Sequence, residues 1–258
     1  MIIAKNIHKS FDDKTVLNGI DFTFDKGKTN LIIGRSGAGK TVLLKTLVGL
    51  ITPDNGNVWY DDIDFYKLSL KEVRKLRKKV GMLFQGNALF DSMTIEENVR
   101  FPLDMFTNMT EKEKENQVNS CLERVELEDV NDKYPSEISG GMQKRVGIAR
   151  AIVMEPEYLF CDEPNSGLDP KTALVIDELI IDITKEKNIT TIINTHDMNS
   201  VMEIGENILL LDNGVVVWTG NKDKILKSNN EYIENFIFAS PFLKKLKNIA
   251  IGLDEKIS

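Results

Sequence analysis

Gly34-Arg35-Ser36-Gly37-Ala38-Gly39-Lys40-Thr41 sets glycines, a lysine and a hydroxyl in the order G-x-x-x-x-G-K-[ST]. Glycines let backbone fold tightly about a phosphate chain. The free N–H groups at a following helix N-terminus then hold the anion. In such a loop Lys40 reaches the β and γ phosphates of a nucleotide and Thr41 ligates Mg²⁺. The bland alternative is a Gly-rich turn between a strand and a helix. A second constellation is Asp162-Glu163, at the end of the apolar run Leu159-Phe160-Cys161. Asp162 would hold the metal, and Glu163 would orient or deprotonate an attacking water. Alone, the pair also fits two solvated acids at a helix start.

These groups need a scaffold, and the hydrophobic pattern supplies one. Ile2–Ile7 and Val16–Phe24 read as strands, the second alternating through Ile20, Phe22 and Phe24. Asn30–Gly34 is a short buried strand that runs into the phosphate loop, and Thr41–Leu50 is the apolar helix after it. Val58–Tyr60 and Val80–Phe84 are strands, with a basic helix over Leu70–Lys79 between them. The middle is helical. Thr94 with Glu97, and Thr110 with Glu113, have capping-box spacing. Val118, Cys121, Leu122 and Val125 share one helix face, and a third helix starts near Gly141 with Met142, Val146, Ala149 and Val153 on one side. Strand and helix then alternate again through Tyr158–Cys161, Lys171–Lys185 and Ile189–Asn194. Ile208–Leu211 and Val215–Trp218 form a hairpin about Asp212-Asn213-Gly214. The fold class is therefore α/β.

Composition removes other classes. The 258 residues are 41% apolar and 28% charged, ordinary globular usage. The net charge is 33 − 40 = −7, which argues against a nucleic-acid partner. No stretch reaches the roughly 18–20 apolar residues that span a bilayer. The start, MIIAKNIHKSFDDK, is charged too early for a signal peptide. Cys121 and Cys161 form no disulfide framework and read as small buried apolar residues in a reduced, cytoplasmic protein.

With these motifs in place, the chain resembles the ATP-binding cassette (ABC) family over nearly its whole length. Ile138-Ser139-Gly140-Gly141-Met142-Gln143 is similar to the family signature, usually L-S-G-G-Q. The order Lys40, Gln85, Ser139, Asp162, Asp169, His196 also matches. The resemblance implies a P-loop NTPase (RecA-like) core with an N-terminal antiparallel β subdomain and an inserted α-helical subdomain, about residues 86–155, within a cassette of residues 1–228. Residues 229–258 would be an amphipathic tail. It implies ATP and Mg²⁺ as cofactors. Ser139, Gly140 and Gly141 would cap the γ-phosphate held by a second copy of the chain, so that two cassettes sandwich two ATPs. Gln85 would sense Mg²⁺ and the attacking water, Asp169 would sit in the D-loop, and His196 would touch the γ-phosphate. Outside such a set, a lone His after a strand is an ordinary surface or core residue. Two positions depart from the family pattern. Phe11 stands where a Tyr usually stacks on adenine, though a phenyl ring keeps the π face. Met142 replaces the signature Gln and leaves the Ser and Gly donors in place.

A narrower likeness covers Gly81–Thr94, Glu97-Asn98-Val99, Phe101-Pro102-Leu103, Gly34-Arg35-Ser36 and the Met of Ser-Gly-Gly-Met. These are similar to the Mla/Mce lipid-transporter ATPases. That group implies an integral-membrane permease dimer and an Mce-domain lipid-binding protein as partners, phospholipid as cargo, and a peripheral place on the inner face of the cytoplasmic membrane. Phe90, Ser92 and Met93 would line a groove for a permease helix, although Met82, Met93, Met105 and Met109 also suit the core of the helical insert. Lys67–Lys79 carries seven cations against Glu72, a solvated face or one near lipid headgroups. The tail, with Ile233, Phe236 and Ile237 and then Ser240-Pro241 opening a helix with Phe242, Leu243, Leu246 and Ile249, packs on a cassette or lies on a membrane.

The main alternative is the ATPase of a solute importer, for instance of amino acids. A repair ATPase would place long coiled coils between Gln85 and Ser139, and 54 residues are too few. A ribosomal type would carry two cassettes per chain. A phosphate-loop kinase needs neither the signature nor His196.

Overall fold

The computed structural model describes residues 1–238 together with Lys244, Lys245 and Lys247. Two sheets share the molecule. The first is built from β1 (Ile2–Phe11), β2 (Lys14–Phe24), β4 (Asn55–Tyr60) and β5 (Ile63–Asp64), antiparallel in the order β2-β1-β4-β5. The second holds β3 (Thr29–Ile33), β6 (Val80–Leu83), β7 (Tyr158–Asp162), β8 (Thr190–Asn194), β9 (Asn207–Asp212) and β10 (Val215–Gly220). Its order is β10-β9-β3-β8-β7-β6, parallel except for the β10 edge. Strands β3, β7 and β8 are buried at every position. That explains why they read as continuous apolar runs rather than alternating ones.

Helix α1 (Lys40–Val48) follows β3, and the basic α2 (Leu70–Arg77) follows β5. Between β6 and β7 lie α3 (Ile95–Phe106), α4 (Glu111–Arg124) and α5 (Gly140–Ile152). Then come α6 (Pro170–Glu186), α7 (Met198–Ile204), α8 (Lys222–Leu226) and α9 (Glu231–Phe236). Both expected capping boxes form: Thr94 accepts from Glu97 N and Thr110 from Glu113 N. A third, Ser69 with Glu72, opens α2. Among these helices none is long and apolar enough to cross a membrane.

One core cluster joins the α3–α5 insert to the parallel sheet through Val118, Val146, Leu159 and Ile176. The other seats α1 between the two sheets through Leu43, Leu47, Ile20 and Phe160. Both cysteines are buried, and burial pushes the Cys121 thiol up to about 11.

Several expectations shift. Strand β1 runs to Phe11, beyond Ile7, because its polar second half still pairs with β2. Of the four methionines placed in the insert core, Met105 is exposed. Of the helix expected from Ser240-Pro241 through Ile249, Lys244, Lys245 and Lys247 are described and helical, and the rest lies outside the described residues. Lys247 is buried, with Nζ 2.6 Å from the Ser228 carbonyl, and it pairs with Glu234 of α9.

Candidate functional site

The phosphate loop joins the end of β3 to α1 at the carboxyl edge of the parallel sheet, where loops between strands and helices form clefts. Gly34 has φ +149, and a Cβ there would meet the Leu211 carbonyl at 2.2 Å. Gly39 caps α1 at φ +103, and its Cβ would lie 2.8 Å from the Val16 carbonyl. Both glycines are thus demanded by close backbone neighbours and by left-handed geometry. Arg35, Ser36 and Gly37 are exposed along the loop, while Ala38 is buried under it. Lys40 is buried, and Nζ donates to the carbonyls of Gly34 (2.9 Å) and Arg35 (3.1 Å). Burial lowers its pKa, against the opposing pull of Glu163 and Asp162.

A cleft of about 930 Å³ opens over this loop, lined also by Thr41, Gln85, Glu163 and His196 at one end and by Lys14, Thr15 and Val16 elsewhere. The structure brings together groups from four strand ends. Glu163 follows β7, Gln85 follows β6 and His196 follows β8. Gln85 Nε2 donates to Glu163 Oε2 at 3.1 Å, and His196 Nδ1 lies 3.1 Å from Oε1. The carboxylate is therefore held by two neutral-capable partners with its face to the cleft. Its backbone is also fixed: Glu163 sits at φ +51 and donates its N–H to the Asn194 carbonyl at 2.9 Å. For a residue with a side chain that region costs about 1–2 kcal/mol, supplied by the surrounding fold.

Asp162 is buried, and desolvation raises its pKa, with the bond from Asn194 pulling the other way. Asn194 Nδ2 donates to Asp162 Oδ1 (2.6 Å) and to Thr41 Oγ1 (3.2 Å). One amide thus places a carboxylate and a hydroxyl side by side at the foot of the phosphate loop. Two hard oxygens, one of them a desolvated anion lacking full compensation, suit Mg²⁺, which takes few protein ligands and completes its shell with phosphate and water. Among the described residues no cluster of three or more His, Cys, Asp or Glu is placed to hold a metal ion.

Asn194 was not singled out by sequence reading; its only signal is a polar residue ending the apolar strand before Thr195-His196. Arg150 and Lys144 were missed too. Arg150 donates to the carbonyls of Asn87 (2.7 Å) and Ala88 (2.9 Å), pinning three consecutive left-handed residues, Gly86, Asn87 and Ala88, after Gln85.

Other expected residues lie apart. Ser139, Gly140, Gly141 and Asp169 line a separate cleft of about 540 Å³ with Gly167, Leu168 and Thr172. Ser139 caps α5, accepting from Met142 N at 3.3 Å, and Asp169 caps α6 by accepting from Lys171 N and Thr172 N. Phe11 ends β1, 44% exposed with Lys9 Nζ 5.3 Å from its ring centre, and is outside the lining of the phosphate-loop cleft.

The ABC transporter family profile matches residues 17–166, more than half the chain, and spans the phosphate loop, Gln85, the signature and Asp162-Glu163. The chain belongs to the ABC transporter family. The methionine import ATP-binding protein MetN of Carboxydothermus hydrogenoformans is 43% identical over 223 residues, 85% of this chain and 66% of that protein. The probable ribonucleotide transport ATP-binding protein mkl of Mycobacterium leprae is 36% identical over 236 residues, 92% of this chain and 68% of that protein. This ABC chain therefore spans about two thirds of the length of these relatives. The cassette MJ0796, solved as a dimer, superposes with a TM-score of 0.79 at 32% identity, covering 86% of this chain and 99% of that one. MJ0796 has also been solved as a dimer in a post-hydrolysis state with ADP and Pi. The chain is an ATP-hydrolysing ABC cassette: a P-loop NTPase with an antiparallel N-terminal sheet and a helical insert.

Proposed function

We propose that this cassette binds Mg-ATP with a second copy of itself and powers lipid movement through an integral-membrane permease dimer. The observation that carries the dimer is the separation of the two clefts. One chain holds the phosphate loop and Glu163 in one cleft and the free N-terminus of α5 in another. A second copy would bring its Ser139, Gly140 and Gly141 to the first chain's nucleotide, where the helix-end amides would hold the γ-phosphate. Thr41, Asp162 and Gln85 would hold Mg²⁺, whose charge would offset that of the phosphate oxygens. Glu163 would take the water proton while His196 and Gln85 hold its carboxylate.

The permease reading rests on an apolar groove of about 420 Å³ beside Gln85. Phe84, Phe90, Phe101, Phe106 and Met154 line it together with Arg77, Lys78 and Arg150. Phe90 is 40% exposed and packs 5.0 Å from Phe101 between ring centres; Ser92 is exposed and Met93 half-buried, but unlike Phe90 neither lines this groove. The cargo reading rests on the Gly81–Thr94 likeness to the Mla/Mce lipid-transporter ATPases, which also names an Mce-domain protein as a further partner. The chain would then sit at the inner face of the cytoplasmic membrane. A second reading has its own support: a relative at 43% identity is called a methionine import protein, which favours an amino-acid importer.

Purifying the cassette with its permease and analysing what the complex carries tests the choice. Bound phospholipid, together with ATP-dependent lipid transfer between vesicles, is expected. ATP-dependent uptake of an amino acid with no lipid movement would overturn the lipid reading and leave the ATPase reading intact.

A further inference from the structure

Lys144 lies five residues beyond the Ser139 cap of α5 and is 3% exposed. A lysine so deeply buried ordinarily has an ionic partner. Among the described residues Lys144 makes no ion pair. Its Nζ faces oxygens of the neighbouring loop instead: the Glu163 carbonyl at 3.4 Å and Ser166 Oγ at 3.5 Å. Both belong to the turn between β7 and α6. Ser166 N in turn donates to the Glu163 carbonyl at 3.2 Å, so one carbonyl receives both the amide and the ammonium. That carbonyl belongs to the residue whose left-handed backbone aims its carboxylate at Gln85 and His196. A buried cation is thus directed at the backbone of the water-activating residue, and it comes from the helix that presents the signature amides.

We propose that Lys144 is a positioning residue that ties the signature helix to the Glu163 turn. This rests on the reading of Glu163 as the group that orients or deprotonates water. Its ammonium holds the Glu163 carbonyl and Ser166 in place, and so fixes the direction of the Glu163 side chain. Because α5 starts at Ser139, a displacement of that N-terminus by a partner's nucleotide is transmitted along a rigid helix to Lys144. From there it reaches the hydrolytic carboxylate of the same chain. Occupancy of one site is thereby linked to competence at the other.

The test compares K144M, K144Q and K144R with E163Q and the E163Q/K144M double variant. It measures kcat, KM, binding of a fluorescent ATP analogue and thermal stability. K144M removes the donors and the charge but keeps the volume, and it also removes the desolvation cost of a buried charge without an ionic partner. Its melting temperature should match or exceed that of the wild type. Its kcat should fall about 10–100-fold, as misplacement of a catalytic group by about 1 Å can do. KM and analogue binding should stay within about threefold. K144Q and K144R, which keep donors, should recover part of kcat. In the E163Q background K144M should change the residual rate less than twofold. A kcat of K144M within twofold of wild type overturns the proposal. So does an undiminished effect of K144M on E163Q. Equal loss of kcat and melting temperature in all three variants would assign Lys144 to folding alone. If E163Q itself keeps the wild-type rate, the Glu163 reading fails first, and the two failures are told apart.

Discussion

Lys40 and Glu163 are proposed to do different work at the same cleft, and single substitutions should separate them. Lys40→Ala removes the buried ammonium seated against the Gly34 and Arg35 carbonyls and should abolish Mg-ATP binding or hydrolysis in a turnover assay. Glu163→Gln fits the same space and keeps contact with Gln85, yet cannot accept a proton as a base. ATP binding should persist while turnover falls about 10²–10⁴-fold. Away from the chemistry, Asp177 on α6 makes a pH prediction. Burial pushes its carboxyl from 3.8 to about 6, opposed by bonds from Ser200 and Asn165, the latter at 2.8 Å. Below 3.8 the group is protonated in folded and unfolded chains alike, so it carries no penalty. Above 6 it is ionised in both, and the folded state bears a cost of about 3 kcal/mol. Its contribution to stability is therefore lost as pH rises through 6. Asp177→Asn should raise stability by up to about 3 kcal/mol at pH 8, and by roughly half that at pH 5. The new amide also offers a donor to Asn165 Oδ1, which is buried with no partner among the described residues. Denaturant midpoints at the two pH values check this; an equal gain at both would refute the titration argument.

At the scale of elements, short polar devices fix the functional loops. Asn98 on α3 is fully buried and braces the segment before that helix. Its Oδ1 accepts from Phe90 N at 2.8 Å, and its Nδ2 reaches the carbonyls of Phe90 (3.1 Å), Met93 (3.2 Å) and Thr94 (2.9 Å). The segment that presents Phe90 and Ser92 is thus held by one amide. Asn98→Ala leaves several buried backbone groups unsatisfied, at about 1–3 kcal/mol each before relaxation. The variant should lose permease binding more than basal ATPase, because Lys40, Asp162 and Glu163 lie on other elements; pull-down and ATPase assays on one preparation measure the split. The element types were legible where apolar periodicity was strong, as in β3, β7 and the α4 face. The Thr94 and Thr110 boxes were legible because their spacing is local. Helices α7 and α8 were not identified, since seven and five residues give too little period to read. Asn98 was invisible as a brace because its partners are defined only by how the loop folds back.

On the scale of the whole molecule, the proposed sandwich has another copy complete the phosphate-loop and signature clefts. Glu163→Gln with Mg-ATP should therefore accumulate a dimer by light scattering, and a chain that stays monomeric would remove the sandwich. The groove beside Gln85 gives a second whole-molecule test. Phe90→Asp puts a carboxylate at an apolar contact next to Phe101, and burial of an unpaired charge costs several kcal/mol. Permease pull-down should fail while basal ATPase stays near wild type, with a melting temperature lowered by the lost Phe90–Phe101 contact but above the assay temperature. Retained coupling with all three unchanged would remove the groove from the permease interface.

By itself the sequence determined the chemistry that depends on contiguous backbone. The phosphate loop, the Asp162-Glu163 pair, the Ser139 helix start and the order of motifs are local patterns, and their residue types suit the proposed phosphate, metal and proton chemistry. Tertiary structure decided what contacts across long separations create. It set Asn194 between Asp162 and Thr41, Arg150 on the Gln85 loop and Lys144 beneath Glu163. Phe11 itself is not among the cleft-lining residues, although Lys14, its partner across the β1–β2 ladder, is one of them. Such roles arise from packing of one element on another, and a buried polar side chain shows its partner only once that packing exists.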